Sequence, residues 1–160
     1  MGASKITRRL VLDASAFISG LNPSSLSVET YTTPSVVGEL RGLPSRLRYS
    51  ISTQMAKLKI LSPSQRFVEA VKRASSTLGD IRKLSEADLS ILALALELKA
   101  EGGDVAIVSD DYAVQNVAEY LKIDYQSISI AGIKFHIKWM LRCTSCRQVL
   151  PAGFSGNVCP

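Results

Sequence analysis

The chain has little of the chemistry that most hydrolases use as nucleophile or proton carrier. It holds one histidine, His136, and three cysteines among 160 residues, so the reactive groups are sought elsewhere. Long hydrophobic runs are also missing. Stretches such as Leu89 to Leu96 are interrupted too soon to span a bilayer, which indicates no transmembrane helix and no membrane partner. The N-terminal MGASKITRRL carries charge but no continuous apolar segment of signal-peptide type, and the residues after Gly2 read poorly as a lipidation site; a cytoplasmic protein is expected. There is no internal repeat and no low-complexity tract. With 46% hydrophobic and 21% charged residues, disorder is not the default either. The length suffices for one domain with a real core plus an appendage.

Negative charge is scarce in one span. The net charge is +5, but between Arg41 and Lys83 ten basic residues (Arg41, Arg46, Arg48, Lys57, Lys59, Arg66, Lys72, Arg73, Arg82, Lys83) face only Glu69 and Asp80, a local excess of eight. Such a footprint suits a phosphate backbone; solvated helix faces account for it equally well.

What is present is an alternation of strand and helix. Residues 8–13 read as a strand, 15–20 as a short helix and 22–33 as a loop rich in Ser and Thr. Thr33 offers an N-cap and Pro34 a first helical position for PSVVGELRG, with Gly42 as a stop. Helical spacing recurs over 50–57 and 64–76, with Pro63 between them. The strongest helical signal is SEADLSILALALELKAEGGD, in which Leu89, Leu92, Ala93 and Leu96 share a face and Gly102-Gly103 end the run. VAIVSDD follows as a buried strand, DYAVQNVAEYLK as a helix and IDYQSISI as a short strand. Strands at 8–13 and 105–109 separated by helices predict an α/β fold with a parallel sheet. From Ile133 the period becomes two: Ile133, Phe135, Ile137, Trp139 and Leu141 alternate with Lys134, His136, Lys138, Met140 and Arg142, a half-buried strand with a basic outer face. The expected organisation is a domain over 1–130, a linking strand over 131–142 and a small cysteine unit over 143–160.

Four acidic positions share a context. Asp13 ends the first strand, Glu39 lies within the Pro34 helix, Asp88 opens the long apolar helix, and Asp110 with Asp111 ends the strand VAIVS. Right-handed crossovers gather strand ends and helix starts on one edge of a parallel sheet, so these side chains can meet. An oxygen-only cluster suits Mg²⁺ or Mn²⁺ rather than zinc, and such an ion activates water and neutralises a transferring phosphoryl group. Helix capping offers an ordinary account of each: Asp13 as an N-cap, Ser85-x-x-Asp88 as a capping box, Asp110 or Asp111 as the next cap. Capping does not explain Glu39, mid-helix beside Val36, Val37 and Leu40.

VLDASAFI, VVGEL, SEADLSILALA and VSDDYAVQNVA together resemble the PIN domain, a family of metal-dependent ribonucleases. The resemblance covers about residues 8–127. It implies a three-layer α/β/α sandwich, with the acidic ligands of Mg²⁺ or Mn²⁺ falling on Asp13, Glu39, Asp88 and the Asp110-Asp111 pair, the last able to slide by one residue. Ser15 matches a small hydroxyl residue that supports the site. Gln115 and Asn116 lie close by and read as exposed helix residues.

Cys143-x-x-Cys146 reads as half a zinc site, and Cys159 lies twelve residues further on, in NVCP. A structural ribbon takes four ligands, usually from two such knuckles, so the ribbon is expected to be incomplete in this chain or to find a fourth ligand elsewhere. His136 reads as a surface residue of its strand. The first pair lacks the helix N-terminus expected of a redox dithiol. A PIN domain followed by a zinc ribbon, with SDDYAVQNVA and KWMLRCTSCRQV, resembles the archaeal branch of the Nob family. That resemblance implies an endoribonuclease of small-subunit ribosomal RNA precursor, cutting at its 3′ end to leave 3′-hydroxyl and 5′-phosphate ends, with the pre-ribosomal small subunit and a KH-domain assembly factor as partners. The rival readings are a toxin-type PIN ribonuclease and a non-catalytic RNA-binding module of a pre-ribosome.

Overall fold

The structure, a computed structural model, describes residues 8–79 and 83–128. The boundary near 130, the alternating segment from Ile133, His136, and the three cysteines Cys143, Cys146 and Cys159 lie outside the described residues. Within them the order is β1 (Arg9–Leu12), α1 (Ala14–Ile18), β2 (Glu29–Thr32), α2 (Pro34–Leu40), α3 (Ser45–Gln54), β3 (Leu58–Ile60), α4 (Gln65–Leu78), α5 (Glu86–Ala100), β4 (Val105–Val108), α6 (Tyr112–Tyr120) and β5 (Asp124–Gln126). The strands form one parallel sheet in the order β3-β2-β1-β4-β5, flanked by helices in the three-layer α/β/α arrangement. The chain winds outward from β1 through β2 to β3, then returns to the other side of β1 for β4 and β5. Strand order therefore reverses between β1 and β4, and in open α/β sheets ligands gather at the carboxyl ends flanking such a reversal.

The centre of the sheet is apolar on both faces. Val11 pairs with Tyr31 on one side and Ile107 on the other, and Val11, Leu12, Ala106 and Ile107 are fully buried. α5 packs on β1 and β4 and also touches α2, α4 and α6, so it lies inside the molecule. The single apolar face expected for it is too narrow: Ile91, Leu92, Ala93, Leu94 and Ala95 are buried in succession, while Leu89 and Leu96 are only half-buried. Each fully buried Leu or Ile contributes about 1.5–3 kcal/mol, which makes this helix the main apolar support of the site. It stops as expected. Gly102 adopts φ +86°, its N–H donates to Lys99 O, and the Gly103 N–H donates to Leu98 O, closing the helix end. A side chain at Gly103 would meet Leu98 O at 2.9 Å.

Two strands were not legible beforehand. Residues 22–33 are not simply a loop; they contain a 3₁₀ turn at Pro23–Ser25 and then β2, whose sequence ETYT hides its burial. Thr32 Oγ1 donates to Leu12 O at 2.9 Å, which lets a hydroxyl sit fully buried in the sheet. β3 has three residues, of which only Leu58 is buried, too short for an alternating pattern to show. The helix expected at 50–57 begins earlier, at Ser45, and of the strand expected across 123–130 the described residues form Asp124–Gln126. Among the described residues no helix is long and apolar enough to cross a membrane.

Candidate functional site

Asp13 and the Asp110-Asp111 pair stand at the carboxyl ends of β1 and β4, with Glu39 on α2 and Asp88 on the first turn of α5. Asp13 follows β1 directly and caps α1, accepting the Ala14 N–H at 2.6 Å. Its Oδ2 accepts two more hydrogen bonds, from Ser15 Oγ at 2.9 Å and Ser109 Oγ at 2.7 Å. The residue is only 5% exposed, and a buried carboxylate needs such donors. Both serines also accept a backbone N–H from the turn after β4: Ser15 Oγ from Asp110 at 3.2 Å, Ser109 Oγ from Asp111 at 3.0 Å. Two hydroxyls thus fasten the β1 end to the β4 end. Ser15 stands where a supporting role requires it, whereas Ser109 was missed; its signal was a serine placed directly between an apolar strand and two aspartates.

Asp88 is held by the capping box. Ser85 Oγ accepts the Asp88 N–H at 3.1 Å, and Asp88 Oδ2 accepts the Ser85 N–H at 2.7 Å. Partial burial pushes the Asp88 carboxyl above its ordinary pKa; the Ser85 hydrogen bonds oppose this, and the charges of Asp13 and Asp111 add to it. Glu39 lies on the exposed side of α2. Partial burial raises its carboxyl too, the charges of Asp88 and Asp13 raise it further, and a hydrogen bond with Ser85 opposes them. The Asp13 charge therefore reaches both Glu39 and Asp88, and the Asp111 charge reaches Asp88.

Asp110 is directed differently. Its Oδ1 accepts from Ser127 Oγ and, at 2.8 Å, from the Ile128 N–H, tying the β4 turn to the chain beyond β5. Asp111 caps α6 through Ala113 N–H at 2.7 Å and Val114 N–H at 3.4 Å. Asp13, Asp88 and Asp111 thus each serve as the capping account expects, whereas Glu39 caps nothing. Among the described residues no three carboxylates enclose an ion as they stand. The donors are nonetheless all oxygen and, from the buried Asp13 to the exposed Glu39 and Asp111, of one charge, which is the chemistry a hard divalent cation relieves.

A second tie lies behind the site. Thr33 Oγ1 and Ser90 Oγ are 2.6 Å apart and buried; Ser90 donates to Ala87 O at 2.7 Å, so its oxygen receives the Thr33 proton. Thr33 caps α2, which carries Glu39, and Ser90 belongs to α5, which carries Asp88, so one hydroxyl pair sets their spacing. Gln115 is not merely an exposed helix residue: it is half-buried and its Nε2 donates to Ser109 O at 2.8 Å.

The basic span is less uniform than its composition. Lys59 is engaged, with Nζ 2.7 Å from Glu29 and 5.2 Å from the centre of the Tyr31 ring. Arg66 lies 4.6 Å over the Phe67 ring. Arg41, Arg46, Lys57, Lys72 and Arg73 are exposed.

Comparison with known proteins follows this geometry. Residues 10–98 match the family model described as the PIN domain of ribonuclease. Endoribonuclease Nob1 of Pyrococcus abyssi is 43% identical over 152 residues, covering 95% of this chain and 88% of the relative. Ribonuclease VapC1 of Thermoplasma acidophilum is 36% identical over 141 residues, covering 88% and 69%. A 20S-pre-rRNA D-site endonuclease, NOB1 of Saccharomyces cerevisiae, is 35% identical over 101 residues, covering 61% of this chain and 22% of the relative.

Proposed function

The chain belongs to the Nob family of PIN-domain endoribonucleases, and from that premise we propose that it is a Mg²⁺- or Mn²⁺-dependent phosphodiester hydrolase that matures the 3′ end of small-subunit ribosomal RNA precursor. The observation that carries the reading is the buried Asp13 carboxylate at the strand-order reversal, fixed by Ser15 and Ser109, with its charge reaching Glu39 and Asp88. Asp13, Glu39, Asp88 and Asp111 would hold the ion, with Asp110 engaged by Ser127 and Ile128 beside them. Bound there, the ion supplies activation of water and neutralisation of charge on the phosphoryl group. The chain's own groups do the rest. Ser15 and Ser109 fix the Asp13 carboxylate through its Oδ2. Ser85 holds Asp88 through its capping box, and the Thr33-Ser90 hydroxyl pair spaces the helices that carry Glu39 and Asp88. Water oxygen bonds to phosphorus while the bond from phosphorus to the 3′ oxygen breaks; the displaced oxygen takes a proton, leaving 3′-hydroxyl and 5′-phosphate ends.

The relative that names a pre-rRNA endonuclease supports ribosomal RNA as substrate. The exposed basic side chains Arg41, Arg46, Lys57, Lys72 and Arg73 grip single-stranded backbone, and the sequence offers Lys134, Lys138 and Arg142 for the same task. Cys143, Cys146 and Cys159 would supply three of the four ligands of a structural Zn²⁺. The protein works in the cytoplasm on the pre-ribosomal small subunit, beside a KH-domain assembly factor. The toxin-type reading draws support from the relative named VapC1, and the cysteine unit argues against it.

The test is cleavage of an RNA spanning the immature small-subunit 3′ end in Mn²⁺ or EDTA, together with calorimetric titration of Mn²⁺. Asp13→Asn is expected to abolish cutting, weaken Mn²⁺ binding and spare RNA affinity. Wild-type cutting by this variant overturns the assignment; RNA binding by the wild type with neither Mn²⁺ uptake nor cutting makes the protein a non-catalytic module.

A further inference from the structure

Beside the carboxylates the surface opens into a recess of about 150 Å³ lined by Tyr112, Gln115, Asn116, Glu119 and Tyr125. The first four are spaced three and four apart along α6 and so share a helix face, with Tyr125 of β5 opposite. The recess adjoins the site covalently, because Tyr112 follows Asp111, and through a hydrogen bond, because Gln115 Nε2 is spent on the carbonyl of Ser109, whose hydroxyl serves Asp13. No lysine or arginine lines it, and Glu119 contributes a negative charge. A phosphate is therefore unwelcome there. A neutral flat group is not: Tyr112 is 55% exposed and presents an aromatic face, and single-stranded nucleic acid is held by such faces.

We propose that this recess binds one unstacked base of the RNA next to the cleaved bond and prefers a base bearing an exocyclic amine. This inference rests on the ribonuclease reading and names a specificity element for it. The preference follows from Glu119. One N–H of the Gln115 carboxamide is committed to Ser109, which leaves an oxygen and one N–H that serve either kind of base; Glu119, which already accepts from the Tyr125 hydroxyl, has a second carboxylate oxygen and can only accept. That acceptor matches the amine of cytosine or adenine, whereas uracil presents a carbonyl at the equivalent position.

The test needs no knowledge of the cut site. Equilibrium binding of the full chain to twelve-nucleotide oligo(C) and oligo(U) is measured in EDTA by fluorescence anisotropy, because these bases are alike in size and differ in the amine. Wild type is expected to bind oligo(C) about 5–10-fold more tightly. Tyr112→Ala weakens both by about fivefold or more, Tyr112→Phe restores them, and Glu119→Ala brings the two affinities together. Equal wild-type affinities overturn the amine preference, and unchanged binding by Tyr112→Ala overturns the recess as a base site. If the expected binding pattern is found but no RNA is cut in Mn²⁺, the ribonuclease reading fails while the base site stands.

Discussion

Replacing Asp88 by Asn separates the two duties of that side chain. As part of the capping box it accepts the Ser85 N–H, and Asn retains an oxygen for that bond and the backbone N–H that Ser85 Oγ accepts. What is lost is the advantage of a charged acceptor, about 1 kcal/mol. What is gained is relief from partial burial and from the charges of Asp13 and Asp111. For a half-exposed group this relief is also about 1 kcal/mol at most, because solvent screens it. The metal-free variant should therefore lie within about 1 kcal/mol of wild type in a urea or thermal melt followed by circular dichroism. Mn²⁺ separates them. At a free concentration a hundredfold above Kd the wild type gains about 2.7 kcal/mol, roughly 5–10 °C in Tm for a chain of this size. Asp88→Asn should gain less than half of that and lose cleavage by on the order of 100-fold or more. If the variant keeps the full Mn²⁺ rise, or melts many degrees lower in EDTA, Asp88 is a cap and nothing else, and the reasoning is refuted.

Three other outcomes follow from named contacts. In EDTA, Asp88 and Glu39 have folded-state pKa values raised above those of the unfolded chain, so their contribution to stability is full below the ordinary carboxylate range and is lost as pH rises through the raised values. Glu29, held low first by its Lys59 hydrogen bond, acts in the opposite sense, so the expected effect is a difference: melts across pH should show Asp88→Asn with a smaller gain on acidification than wild type, and parallel curves would refute it. Within the aspartate pair, Asp111→Asn should reduce Mn²⁺ stabilisation while Asp110→Asn leaves it intact, since the Asp111 charge reaches Asp88 and Asp110 Oδ1 is committed to Ser127 and Ile128; calorimetric titration giving the reverse order would exchange their roles. Lys122 closes α6 at φ 56°, a left-handed conformation that disfavours side chains, so Lys122→Gly should raise stability by about 0.5–1 kcal/mol, and an unchanged or lower urea midpoint would count against it.

Much was legible before any coordinates because it is local. The Thr33-Pro34 start of α2, the Ser85-x-x-Asp88 box and the Gly102-Gly103 stop are each written within a few residues, and each forms as read. Asp13 and Asp110-Asp111 at strand ends and Asp88 at a helix start, with Glu39 within a helix, were enough to expect one cluster, since parallel topology gathers strand ends and helix starts on one edge. Tertiary structure decided what depends on partners distant in sequence. ETYT becomes a strand only because Leu12 and Leu58 flank it in the sheet, and Lys59 leaves the basic surface only because Glu29 lies beside it. Ser109, and the Thr33-Ser90 pair that spaces two helices, acquire their places from residues 96 and 57 positions away along the chain. Local signals specify caps, stops and periods, whereas a hydroxyl's partner across the sheet is chosen by packing, and no short window of sequence contains it.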